Sequence, residues 1–124
     1  MFTPIISADS VAPMGPYSPG MDAGDIVFFS GQIALAPDGM FKSESILTEL
    51  DQIFLNIEGL LHASKLEKTN IVKTTVFLMD LDDFGVMNKR YAEFFGDHKP
   101  ARSTIQVAKL PAGARVEIEI IAKR

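Results

Sequence analysis

Pro100-Ala101-Arg102-Ser103-Thr104-Ile105-Gln106-Val107, followed after a short connection by Arg115-Val116-Glu117-Ile118-Glu119-Ile120-Ile121, is the part of the chain that decides its fold. Both runs have strand character, and the Ala108–Ala114 connection between them carries Pro111 and Gly113, the punctuation expected between β-strands. In the second run the residues alternate: Val116, Ile118 and Ile120 share one face, and Arg115, Glu117 and Glu119 take the other. So apolar a strand belongs inside a sheet, which leaves its carboxylates half-buried and in need of a reason. The first run opens with Arg102, a permanently charged planar fork, just after a proline that fixes the chain's entry. A fixed guanidinium and a half-buried carboxylate suit a small-molecule site, one holding an anion and the other handling a proton or a water. They equally suit an Arg–Glu ion pair closing a strand end.

Working outward, Ile71 to Met79 is rich in β-branched residues, with Val72, Thr74, Val76 and Leu78 on one face and Lys73, Thr75, Phe77 and Met79 on the other. Ile26-Val27-Phe28-Phe29 is apolar without alternation, a strand to be covered on both faces, and Ser30-Gly31-Gln32 ends it. A glycine at that point signals a bulge or a close backbone approach. Residues 2–7 fit a short edge strand that tolerates Pro4. The Pro- and Gly-rich stretch from Asp9 to Gly20 predicts a loop with Tyr17 as its one large side chain with a polar tip. Turns are expected at Ala23-Gly24-Asp25 and Ala36-Pro37-Asp38-Gly39.

Helical periodicity appears twice. Ile46, Leu47, Leu50, Ile53, Phe54, Ile57, Leu60 and Leu61 mark one amphipathic helix, capped by Ser43 or Ser45 and ending near Ala63-Ser64. The second starts at Asp80, has Phe84, Met87, Tyr91, Phe94 and Phe95 as its buried stripe with Asn88 at the edge, and stops at Gly96. The element order is strand, strand, helix, strand, helix, strand, strand: an α+β domain spanning 1–124, with a mixed sheet and both helices on one face. The other face then lacks cover, and a homo-oligomer packing sheet against sheet supplies it most simply.

The 124 residues fit one domain at about 100–200 residues each. A net charge of −4 and no Lys/Arg cluster argue against a nucleic-acid partner. The absence of cysteine removes disulfide and thiol chemistry. Met1 is followed by no basic segment and no long apolar run, so neither secretion nor a membrane span is expected, and the expected location is cytoplasmic. His62 and His98 are far apart on different elements, which makes both solvent-exposed histidines rather than metal ligands. No nucleotide fingerprint or Ser-His-acid spacing appears. What remains is a site without metal or cofactor, built from Arg102, a carboxylate, a tyrosine, an amide and backbone groups.

The stretch from Pro100 to Ala122 closely resembles the C-terminal signature of the Rid (YjgF) family, the reactive-intermediate enamine/imine deaminases. Gly15-Pro16-Tyr17-Ser18, Ser30-Gly31-Gln32, Ile71 to Leu78, and Asp83-Phe84 with Asn88, Tyr91 and Phe94-Phe95 resemble the family pattern in the same order. The resemblance implies a chorismate-mutase-like fold and a homotrimer with its sites between subunits. It implies hydrolysis of 2-enamine and 2-imino acids, such as 2-aminoacrylate and 2-iminobutanoate, to 2-keto acids and ammonia. On it, Arg102 matches the carboxylate-binding arginine and Glu117 the glutamate that positions the attacking water. Tyr17 and Asn88 match residues lining the cleft, and Gly31 and Thr104 match positions giving backbone contacts. Two alternatives stand beside it: a non-catalytic protein that binds or senses 2-keto acids, and an endoribonuclease-type translation inhibitor, which the acidic balance disfavours.

Overall fold

The computed structural model describes residues 2–9 and 12–124. Its strands are β1 (Thr3–Ile5), β2 (Gly20–Asp22), β3 (Ile26–Phe29), β4 (Ile71–Leu78), β5 (Ala101–Gln106) and β6 (Val116–Lys123). Its helices are α1 (Ile46–Ala63) and α2 (Phe84–Phe95). The six strands form one sheet in the order β1-β2-β3-β6-β4-β5. Only β4 and β5 run parallel, joined by a crossover through α2, and every other pairing is antiparallel. The sheet is therefore mixed, as expected. The short β2 was not expected: three residues between Pro19 and Gly24 offer no periodicity to read, and β2 exists because β1 and β3 pair with it on either side.

The core lies between one face of the sheet and the two helices. Val27 and Phe29 of β3, Val76 and Leu78 of β4, and Val116, Ile118, Ile120 and Ala122 of β6 are all buried against Leu50, Ile53, Phe54, Ile57 and Leu60 of α1. Where α1 meets α2, Phe54 stacks on Phe94 at 4.2 Å between centroids, and Tyr91 lies 4.6 Å from Phe95. Such ring contacts add to the area they bury and give the helix pair one preferred docking. Ser45 caps α1 by accepting a hydrogen bond from the Thr48 N–H at 3.1 Å. Asp80 caps a 3-10 turn, Leu81–Asp83, that leads into α2, and Gly96 ends α2 with φ at 61°.

Four expectations about facing change, the simplest being that Leu47, in the first turn of α1, is exposed and lies off the buried stripe. Val72 is exposed, because a register shift between Ile71 and Lys73 gives the inward place to Ile71. Phe84 is 41% exposed rather than part of the buried stripe, since it opens α2 beyond the end of the core. Arg115 leaves the row of Glu117 and Glu119: its guanidinium donates to the fully buried Glu49 of α1 at 2.8 Å, and its backbone N–H to the same carboxylate at 2.9 Å. The expected loop from Asp9 to Gly20 is irregular where described up to β2, while Ser10 and Val11 lie outside the described residues. On the sheet face away from the helices, Phe28 is 48% exposed and pairs with Ile121 across β3 and β6, and Phe77 stands beside Glu117 across β4 and β6.

Candidate active site

Arg102 stands on β5 opposite Thr74 of β4, and its side chain rises on the helix face of the sheet. The guanidinium carbon sits 4.7 Å from the centroid of the Tyr91 ring and 5.5 Å from that of Phe84. Among the described residues it makes no ion pair and no hydrogen bond. It borders a groove of about 390 Å³ whose wall includes Asn88, Tyr91, Phe95, His98 and Pro100. Asn88 thus lines the same groove as Arg102. His98 is not a solvent-exposed histidine: it is half-buried, and its Nε2 lies 2.7 Å from the Ile71 carbonyl oxygen, holding the loop that delivers Arg102. His62 is exposed as expected.

Thr104 follows two residues after Arg102 on the same strand, which is the free edge of the sheet. The Val107 N–H donates to the Leu78 carbonyl at 2.9 Å, so strand alternation turns the N–H and C=O of Arg102, Thr104 and Gln106 away from β4 toward the open edge. The Thr104 N–H is thereby offered outward. Its hydroxyl, by contrast, is buried without a partner among the described residues.

Glu117 occupies the opposite face. It is half-buried, makes no hydrogen bond or ion pair among the described residues, and faces Gly31. A Cβ built on Gly31 would strike the Glu117 Oε2 and come within 2.8 Å of its Cδ, so the glycine is what allows the carboxylate its place. Burial pushes the Glu117 carboxyl above its usual range, and the nearby charge of Glu119 adds to the effect. The Gly31 N–H has no acceptor among the described residues, whereas its neighbour Gln32 exchanges hydrogen bonds with Ile118 at 2.8 and 3.0 Å. Tyr17 reaches the same region. The Ser30 N–H donates to the Pro19 carbonyl at 2.9 Å and the Ser30 hydroxyl to the Ser18 carbonyl at 2.7 Å, tying the Tyr17 loop to the end of β3. Tyr17 and Gly31 then line one small cavity of about 40 Å³. On the far side of Gly31, the buried Asn56 amide donates to the Ile33 and Leu35 carbonyls at 3.3 and 2.9 Å, fastening that end of the loop to α1.

The chain therefore gathers the expected residues into two groups: Arg102, Asn88 and Thr104 on one side, Glu117, Gly31 and Tyr17 on the other. Glu117 is level with Phe77 and Ile105, so it lies two strands across from β5 and three residues along from Arg102. Each offset is about 10 Å, and the two side chains point to opposite faces. No Arg102–Glu117 ion pair exists; the Arg–Glu pair that closes a strand end is Arg115–Glu49. Phe84 and Tyr91, the rings under Arg102, are not among the site residues expected from the sequence, although their spacing of seven on the stripe that Asn88 borders is the signal for them.

A mixed sheet with two helices on one face, an arginine without an ion pair at its edge and a glutamate without one on its other face define a small α+β protein. The sequence model described as endoribonuclease L-PSP matches residues 7–124, and the chain belongs to that family, the YjgF/Rid family. It is 46% identical over 112 residues to Reactive Intermediate Deaminase A, chloroplastic, of Arabidopsis thaliana, covering 90% of this chain and 60% of that protein's length. It is 40% identical over 123 residues to the 2-iminobutanoate/2-iminopropanoate deaminase of Salmonella typhimurium, covering 97% of this chain and 96% of the relative. The crystal structure of YEO7 from yeast superposes with a TM-score of 0.97 at 38% identity, covering 100% of this chain and 99% of that one.

Proposed function

We propose that the protein hydrolyses 2-enamine and 2-imino acids to 2-keto acids and ammonia, and that each site is completed between copies of the chain in a homotrimer. The observation that carries the reading is that the side chains of Arg102 and Glu117 are both left without an ion pair or hydrogen bond among the described residues, on opposite faces of the sheet. A buried or half-buried charge with no partner is costly, and proteins keep such groups where a ligand or reaction uses them. The deaminase names of the relatives support the chemistry.

In this reading the Arg102 fork takes the substrate carboxylate with two parallel hydrogen bonds, and the edge N–H of Thr104 or the unclaimed N–H of Gly31 adds a further donor. Asn88 and Tyr17 close the cleft from its two sides. Glu117 accepts a proton as a water oxygen bonds to C2 of the iminium; the resulting carbinolamine nitrogen takes that proton, and the C–N bond breaks as the carbinol hydroxyl gives its own proton to Glu117, leaving the 2-keto acid and ammonia, which then carries that proton away as ammonium. No redox partner is consumed. The raised pKa of Glu117 makes it a stronger base once ionised. Imines already react with water, so orientation supplies most of what is required. The apolar row of Phe28, Ile121 and Phe77 on the bare face supports assembly through that face.

The experiment is coupled turnover: threonine dehydratase generates 2-iminobutanoate in the presence of the protein, and semicarbazide competes for the imine. Faster loss of the imine with 2-ketobutanoate formed supports the reading. Binding of 2-ketobutanoate with no acceleration would instead make the protein a keto-acid-binding module. A monomeric mass in native mass spectrometry at micromolar concentration would refute the shared site.

A further inference from the structure

We infer that Phe84 and Tyr91 are positioning residues for Arg102: their two rings hold the guanidinium in place while leaving its N–H donors for an anion. The inference rests on the reading of Arg102 as the carboxylate receptor and adds to it the means by which the receptor is pre-set. An arginine on an edge strand has four side-chain torsions to lose when it grips a ligand, and this one has no carboxylate or carbonyl to steady it among the described residues. What it does have is the Tyr91 ring at 4.7 Å and the Phe84 ring at 5.5 Å. A ring under a guanidinium attracts it through the quadrupole of the π-face and draws on none of the in-plane donors. A carboxylate partner would steady the same cation better, but would occupy the very edge that a substrate carboxylate needs.

The two rings are themselves fixed to different degrees. The Tyr91 hydroxyl is 2.8 Å from the buried Thr74 hydroxyl, directly across from Arg102 in the β4–β5 register. Its ring also packs against Phe95 at 4.6 Å and edge-on to Phe54 at 6.3 Å. Burial raises the phenol pKa, so it stays a neutral hydroxyl through the working pH range. Tyr91 is thus a rigid floor tied into the core. Phe84, 41% exposed at the start of α2, is less enclosed than Tyr91, and the Arg102 guanidinium lies against its ring. Two rings from one helix, seven residues apart, therefore form a shelf whose height above β5 sets where the fork can lie.

The test uses the full chain and the variants Phe84→Leu and Phe84→Tyr. Order of the Arg102 Nε–H is read by ¹⁵N relaxation in the ligand-free protein, and affinity is read by titration with pyruvate. Phe84→Leu is expected to lower the Nε order and to weaken pyruvate binding roughly 3- to 10-fold, with KM for the imine rising more than kcat falls. Phe84→Tyr restores both, because it restores a ring, and the thermal midpoint stays near wild type in each. An equally ordered Arg102 and unchanged pyruvate affinity in Phe84→Leu would overturn the inference. Loss of order in Phe84→Leu, in a wild-type protein that binds no pyruvate, would uphold the shelf and overturn the carboxylate-receptor reading instead.

Discussion

Replacing Gly31 by alanine puts one methyl group against the side chain of Glu117, its nearest neighbour. The added Cβ would stand 2.8 Å from Glu117 Cδ and 3.1 Å from its Cγ, against 3.4 Å for ordinary contact, so the carboxyl carbon must retreat by about 0.6 Å and Oε2 by more. Glu117 has room to give, since it is half-buried and its carboxylate is the far end of a flexible side chain. A displaced rotamer costs about 0.5–1.5 kcal/mol. Alanine offsets about 0.4–1 kcal/mol of that by restricting the unfolded chain. Stability should therefore change by less than about 1 kcal/mol, a shift of at most about 5 °C in the thermal midpoint. Catalysis is less tolerant: misplacing a reacting group by about 1 Å costs on the order of 100-fold, or about 2.7 kcal/mol of barrier. The assay pairs thermal denaturation with imine turnover for Gly31→Ala. Normal turnover in a normally stable variant refutes the role given to Glu117. A variant that loses its fold along with its activity makes Gly31 a packing residue.

Glu117→Gln separates stability from function by pH. The folded-state pKa of Glu117 is raised, so its favourable contribution is complete below the ordinary glutamate value near 4.5 and is lost as pH rises through the raised pKa. At neutral pH the glutamine variant should thus be at least as stable as wild type and nearly inactive; parallel melting curves for the two proteins between pH 4 and 8 would contradict this, on a scale of about a few degrees. The acid limb of wild-type kcat/KM should lie above that of an unperturbed glutamate. Thr104→Pro should fold, because its N–H points off the sheet edge, yet bind 2-ketobutanoate at least about 10-fold more weakly than Thr104→Ala; equal affinities measured by calorimetry would remove the backbone contact. Glu49→Ala should cost about 1–3 kcal/mol in urea denaturation by stranding the Arg115 donors, with turnover per folded molecule unchanged.

The sheet and helices were legible because their patterns are long. From Arg115 to Ile120 charged and apolar residues alternate, and α1 carries one buried stripe along its eighteen residues, so a local error could not hide their type. Facing was legible only until an irregularity intervened. The shift at Ile71 cannot be read from a run of β-branched residues, and it moved Val72 to solvent. Site membership was partly legible: Gly31 was marked by its place at a strand end, and Glu117 by a charge on an apolar strand. What the chain order could not reveal was that Arg102 and Glu117 face apart, because that depends on the registers in which β5 and β6 pair with β4, the strand between them. Nor could it separate the structural Arg115–Glu49 pair from the unpaired Arg102 and Glu117, since the partner of Arg115 is 66 residues away on a helix.

Two charged groups looking to opposite sides of one sheet have a genetic consequence. In the proposed assembly each chain lends its arginine to one site and its glutamate to another, so no chain owns a site. A copy lacking Arg102 and a copy lacking Glu117, each inactive alone, would rebuild some intact sites when they assemble together. A single copy lacking both would instead spoil two sites in every trimer it entered. Alleles of the first kind would complement one another in a mixed population of chains, and alleles of the second kind would act dominantly.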